Sequence, residues 1–100
     1  MEVIFRMNEK LVSQLRNIVS RFPEIKEVLL FGSRAYGDFE QFSDIDLAVK
    51  APKLSEMDWL TFSEQVENEL DTLLKIDLTR WENASIELKN QIQACHQEII

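Results

Sequence analysis

The sequence predicts a small α/β domain in which helices flank a mixed three-stranded sheet. Apolar residues make up 45% of the 100 residues, which is enough for one hydrophobic core. Helical apolar patterns alternate with short strand-like segments in the order helix, strand, strand, helix, strand, helix. The chain has two glycines, against roughly seven at average usage, and both lie in one connection between strands. We therefore expect a single domain over residues 1–100.

The first helix is predicted over residues 8–22. Asn8 is a suitable N-cap, and Pro23 stops the helix because it lacks a backbone N–H. The residues with helical spacing are Leu11, Leu15, Ile18, Val19 and Phe22. A continuous apolar run at 28–31 then predicts a buried strand that ends at Gly32.

A polar connection at 32–43 leads to a second strand at 44–49, where apolar and polar residues alternate. Twelve connecting residues leave little room for a crossover helix, so the first two strands are expected to be antiparallel neighbours. Pro52 ends the second strand.

The second helix is predicted to begin after Ser55, with Asp58 completing an approximate capping box. Its apolar stripe comprises Leu60, Phe62, Val66, Leu70, Leu73 and Leu74. A helix of roughly 18 residues suits a parallel crossover to a third strand at 76–79. A last helix is predicted over 84–98, with Ile86, Leu88, Ile92 and Cys95 on its apolar side.

The charge balance limits the possible partners. Eleven basic and eighteen acidic residues give a net charge of -7, so the chain is not expected to bind a long nucleic acid. A basic partner or a metal cation fits this charge better, although the charge also suits a small soluble domain.

Cys95 is the only cysteine, so the chain cannot form an internal disulfide. Together with His96 it also cannot form a four-ligand zinc site.

The N-terminal segment does not resemble a signal peptide, and no run approaches ~20 apolar residues. We therefore expect a soluble, cytoplasmic protein that does not act on a membrane.

Three carboxylates are predicted to meet on one face of the sheet. Asp44 and Asp46 are two residues apart on a strand and share a face, and Asp77 has the matching parity on the third strand. Like charges brought together repel one another, and a hard divalent cation removes this conflict. Mg²⁺ binds a few carboxylates together with substrate phosphates, and paired ions can assist phosphoryl-type displacements.

A phosphate site is predicted beside these carboxylates. Gly32 and Ser33 follow the first strand, where backbone N–H groups and a hydroxyl could hold phosphate oxygens. Arg34 adds a cation with bidentate geometry, and Gly37 lets the connection turn. Each feature alone is typical of an ordinary turn or a solvated strand start. Their combined spacing would arise by chance in roughly one chain per thousand of this length.

The combined motif, Gly32-Ser33-(x10)-Asp44-x-Asp46, resembles the signature of the DNA polymerase beta-like nucleotidyltransferase superfamily. The short length and the first helix resemble the minimal nucleotidyltransferase (MNT) branch of that superfamily. The segment KIDLTRW at 75–81 is similar to the strand that carries the third carboxylate, so the resemblance covers nearly the whole chain.

The resemblance implies two Mg²⁺ ions and transfer of a nucleoside monophosphate from a triphosphate, with loss of pyrophosphate. It implies that Asp44 and Asp46 ligate both metals, and that Asp77 ligates the catalytic metal and helps to deprotonate the acceptor. The residues that it assigns to the nucleotide are Gly32, Ser33, Arg34 and Ser43. ATP is the family's usual nucleotide, and nothing in the sequence identifies the base.

MNT proteins typically pair with a small helical HEPN-type protein that resembles a ribonuclease toxin. The resemblance therefore implies an antitoxin that transfers AMP from ATP to a hydroxyl, by expectation a tyrosine, of a HEPN-type toxin. An alternative is a non-catalytic binding module that neutralises the toxin by docking. A third, weaker hypothesis is a homodimeric enzyme that modifies small molecules such as aminoglycosides.

Overall fold

The computed structural model describes residues 8–32 and 44–100. The described helices are α1 (Glu9–Val19), α2 (Glu56–Glu69) and α3 (Ile86–Ala94), and the described strands are β1 (Glu27–Phe31), β2 (Ile45–Lys50), β3 (Ile76–Arg80) and β4 (Gln97–Glu98). A short 3₁₀ turn, Trp81–Asn83, follows β3. None of these helices is long and apolar enough to cross a membrane.

The described strands form one mixed sheet in the order β3-β2-β1-β4. β1 is antiparallel to β2, and β2 is parallel to β3, as the connection lengths predict. The α/β class and the mixed sheet are therefore confirmed. The strand number is corrected, because the described residues contain a fourth strand.

The fourth strand replaces the end of the predicted last helix. The helix ends at Ala94, and Gln97–Glu98 then pairs antiparallel with β1. The Ile99 N–H donates to the Val28 carbonyl over 2.9 Å, and the Ile99 side chain is buried. The free edge of β1 offers unpaired backbone groups, and the chain end satisfies them. Local periodicity could not show this pairing, because its partners lie some 70 residues apart.

α1 is shorter than predicted at its C-terminal end. The Asn8 side chain caps the helix, accepting from the Lys10 N–H over 2.8 Å. The helix ends at Val19, and Phe22 is buried from the following turn. Phe22 is apolar because it is buried with the residues of α1, and it therefore matches the helical spacing although it lies outside the helix.

α2 begins as predicted, since the Ser55 Oγ accepts from the Asp58 N–H over 3.1 Å. It ends at Glu69, and Phe62, Val66 and Leu70 are buried. The assignment of Leu60 and Leu73 to the apolar stripe is wrong: their exposures are 63% and 106%. Leu60 is about 200° around the helix from Phe62, and Leu73 lies beyond the helix end.

Both faces of the sheet carry apolar packing. The larger cluster joins α1 and α2 to the inward residues of β1 and β2, which are Val28, Leu30, Ile45, Leu47 and Val49. The smaller cluster lies on the opposite face, where Ile92 of α3 covers Leu29 and Ala48. The face that carries the predicted carboxylates is therefore covered at one end. In α3 Ile92 is buried, whereas Ile86 is 77% exposed.

Candidate active site

The strand register brings two of the predicted carboxylates side by side. Asp46 on β2 lies directly opposite Asp77 on β3 in the parallel pairing. Both project from the face opposite the larger core, because Ile45 and Leu47, the neighbours of Asp46, face that core. Two residues along β2, Ala48 is covered by α3, whereas Asp46 remains half-buried. The carboxylates thus occupy the part of the face that α3 leaves accessible.

Gly32 lies beside Asp46, just after the antiparallel partner strand β1. Phe31 lies opposite Asp46, and Gly32 follows it with a φ of 73°. A Cβ at Gly32 would lie 2.5 Å from Asp46 Oδ2, closer than any real contact. Only glycine combines this left-handed backbone with the close approach of the carboxylate. Position 32 therefore requires glycine, because a side chain there would displace the Asp46 carboxylate.

The environment of Asp46 disfavours its ionised form. Burial is the largest factor that raises the pKa of the Asp46 carboxyl above its ordinary value. The negative charges of Asp77 and Asp44 raise this pKa further, as does a side-chain hydrogen bond with Asp77. The positive charge of Lys75 acts in the opposite direction. A nearby cation would relieve both the burial and the repulsion that this carboxylate experiences.

Asp44 occupies a different position from the other two carboxylates. It precedes β2, it is exposed, and it is near enough to raise the pKa of Asp46. Within residues 8–32 and 44–100, no three His, Cys, Asp or Glu side chains form a ready-made metal-binding group. The preassembled part of the predicted site is thus the Asp46–Asp77 pair.

The residues present fit a hard divalent cation. Mg²⁺ keeps several waters and commonly takes one or two protein carboxylates together with substrate phosphates. Asp46 and Asp77 supply oxygen ligands of this kind, and the absent side chain of Gly32 gives the Asp46 carboxylate room in this position. Soft metals are disfavoured because the pair offers neither sulfur nor imidazole.

One charged residue beside the pair, Lys75, was not predicted from the sequence. Lys75 Nζ lies 3.5 Å from Asp77 Oδ1. Lys75 precedes Asp77 by two residues, which is the spacing that places two strand side chains on one face. The same parity argument that located the carboxylates could therefore have found it.

Several predicted nucleotide-binding residues cannot be placed. Ser33, Arg34 and Ser43 lie outside the described residues, as does Gly37. Of the residues predicted to hold the phosphates, Gly32 is the one within the described part of the chain.

A mixed sheet with opposed carboxylates on two parallel strands, beside a glycine that follows the antiparallel strand, is the arrangement expected of a nucleotidyltransferase-type domain. The family model "Polymerase beta, Nucleotidyltransferase" matches residues 13–100, and the chain belongs to this family. No curated protein matches the chain.

Solved structures extend the comparison. A toxin–antitoxin with AMP-PNP is 26% identical, with a TM-score of 0.71; the match covers 94% of this chain and 73% of the other. A mutant of the MntA–HpeT toxin–antitoxin is 28% identical, with a TM-score of 0.67 and coverage of 92% and 71%. A tri-AMPylated Shewanella oneidensis HEPN toxin in complex with MNT antitoxin gives 22% identity, a TM-score of 0.68 and coverage of 94% and 72%. At that identity the likeness is one of fold.

Proposed function

We propose that this chain is an MNT-type nucleotidyltransferase that acts as the antitoxin of a HEPN-type toxin, by transferring AMP from ATP to a hydroxyl of that toxin. The observation that carries the proposal is the Asp46–Asp77 pair, opposed on parallel strands, with Gly32 beside Asp46. We also propose that residues 1–100 form one domain and that a tyrosine supplies the hydroxyl.

The comparisons support the choice of substrate and partner. A matching toxin–antitoxin structure contains AMP-PNP, which favours a triphosphate with an adenine base as the donor. The fold-level match to an MNT antitoxin in complex with a tri-AMPylated HEPN toxin indicates the reaction to test.

The proposed roles combine the geometry of the pair with the roles that the family resemblance implies. Asp46 and Asp77, with Asp44 just before β2, would hold two Mg²⁺ ions, which would neutralise the phosphate oxygens and stabilise the attacking and leaving oxygens. Gly32, Ser33, Arg34 and Ser43 hold the nucleotide. Asp77 accepts the proton of the toxin hydroxyl. The hydroxyl oxygen then forms a bond to the α-phosphorus, and the bond between that phosphorus and pyrophosphate breaks.

The direct test measures transfer of label from α-labelled ATP to a HEPN-type toxin in the presence of Mg²⁺. We expect Asp46→Asn and Asp77→Asn to lower the transfer rate by about 100-fold or more, since even outer-shell partners of a metal are worth about 10–100-fold. Glu87→Gln is the matched control, because this exposed carboxylate lies in the first turn of α3, which packs on Leu29 and Ala48 and not on the pair. Absence of transfer by the unmodified chain, or equal transfer by the Asp46 variant, would refute catalysis.

A non-catalytic antitoxin is the second candidate, and the charge of α2 favours it. This helix carries five acidic residues and no basic ones: Glu56, Asp58, Glu64, Glu67 and Glu69. Glu69 is already paired with Arg21, and the other four acidic residues could attract a basic ribonuclease electrostatically. A variant with both Asp44→Asn and Asp46→Asn distinguishes the candidates. Toxin neutralisation that survives in this variant supports docking, whereas its loss in a folded variant supports catalysis.

A further inference from the structure

The site carboxylates have a basic partner within the chain. Of the ion pairs among the described residues, Lys75–Asp77 is the one that includes a site carboxylate. The other paired cations bind acidic groups elsewhere: Lys10, Arg21, Lys50 and Arg80. Lys75 therefore brings a positive charge to the place where Asp46, Asp77 and Asp44 accumulate negative charge.

The backbone of Lys75 is fixed while its ammonium is free to leave. The Lys75 carbonyl accepts from the Ile45 N–H over 2.9 Å, which anchors the residue to the start of β2. Its side chain is 69% exposed, and its Nζ is 3.5 Å from Asp77 Oδ1, longer than a strong charged hydrogen bond. An exposed pair of this kind contributes little energy, so the ammonium can move into water at small cost.

We propose that Lys75 is the resident cation of the metal-free site and that a divalent ion must displace it from Asp77. The inference rests on the proposed function, because it takes Asp46 and Asp77 as metal ligands. An ammonium and a divalent cation at the Asp77 carboxylate repel each other, and solvent screening at this exposed pair keeps the effect modest. Lys75 thus stabilises the metal-free carboxylates against one another and weakens the binding of the metal.

The proposal predicts two effects of opposite sign in Lys75→Met. Without metal, the variant should melt about 1–5 °C below the unmodified protein, because the repulsion among the carboxylates is no longer balanced. Its affinity for Mn²⁺ should rise by about 2–5-fold, since the competing cation has gone. General structural damage would lower stability without strengthening metal binding.

The experiment titrates Mn²⁺ into the full chain in the absence of nucleotide and follows the free ion by electron paramagnetic resonance. Lys75→Arg keeps the charge and should bind Mn²⁺ within about 2-fold of the unmodified protein. Lys89→Met is the matched control for net charge, because Lys89 lies over the Trp81 ring, beyond the far end of β3. Unchanged or weaker Mn²⁺ binding by Lys75→Met would overturn the inference, as would an equal gain in Lys89→Met.

The titration separates this inference from the proposed function. Failure of every variant to bind Mn²⁺ would refute the metal site itself, and both proposals with it. Mn²⁺ binding that is intact but indifferent to Lys75 overturns the displacement of Lys75 alone. Mn²⁺ binding that responds to Lys75, without transfer of AMP to a toxin, supports the inference and refutes catalysis.

Discussion

Replacing Gly32 by alanine tests the link between the backbone and the site. At a φ of 73°, a side chain costs about 1–2 kcal/mol, and alanine recovers about 0.4–1 kcal/mol by restricting the unfolded chain. The net backbone effect is a destabilisation of about 1 kcal/mol. The new Cβ also meets Asp46 Oδ2 at 2.5 Å, so the carboxylate must rotate away, which costs about 0.5–1.5 kcal/mol.

The total of about 1.5–2.5 kcal/mol should lower the melting temperature by about 6–20 °C, at about 4–8 °C per kcal/mol for a domain of this size. Thermal unfolding in the absence of metal measures this shift. The same rotation takes Asp46 out of its position for binding metal, so the affinity for Mn²⁺ should fall by about 10-fold or more.

A double-mutant cycle with Asp46→Ala isolates the contact. Asp46 Cβ would lie at an ordinary 3.5 Å from the new methyl group, so Asp46→Ala removes the clash and leaves the backbone cost. Gly32→Ala should therefore cost about 1 kcal/mol in the Asp46→Ala background, with a coupling of about 0.5–1.5 kcal/mol between the two changes. A coupling of zero, or no loss of stability in the single variant, would show that Gly32 does not make room for Asp46.

Three further outcomes are expected. The raised pKa of Asp46 means that the folded chain binds protons more tightly than the unfolded chain, so this group favours folding at low pH and the benefit is lost as pH rises through its folded pKa. Asp46→Asn should therefore melt above the unmodified metal-free protein at pH 7, by a margin that shrinks towards pH 4, and a pH-independent difference would contradict this reasoning. Arg80→Met should destabilise the chain by about 2–4 kcal/mol in chemical denaturation. The Arg80 side chain is 10% exposed, and its guanidinium donates to two backbone carbonyls between β2 and α2 and pairs with Glu82. A loss below about 1 kcal/mol would argue against this network. Ile92→Ala should cost about 2–5 kcal/mol by opening a cavity between α3 and the sheet, whereas the exposed Ile86→Ala should change stability little, and equal effects would contradict the packing of α3.

The helix starts were predictable because caps act locally. Asn8 and Ser55 accept from backbone N–H groups two or three residues away, and no distant part of the chain is needed. The helix ends were less predictable. Phe22 and Leu73 continue the apolar spacing beyond α1 and α2, yet Phe22 packs from a turn and Leu73 faces solvent. Periodicity shows which residues are apolar, but whether an apolar residue is buried depends on where the chain turns.

The chain's amino-acid order by itself determined that Asp46 and Asp77 share a face, because side chains alternate along strands and the flanking apolar residues must enter the core. Connection lengths determined the antiparallel and parallel pairings that bring these strands together. The tertiary structure decided the rest. It set Asp46 opposite Asp77, placed Gly32 against Asp46 and paired β4 with the free edge of β1. These features depend on register and on contacts between distant segments, which backbone pairing across the sheet establishes and local sequence patterns do not contain.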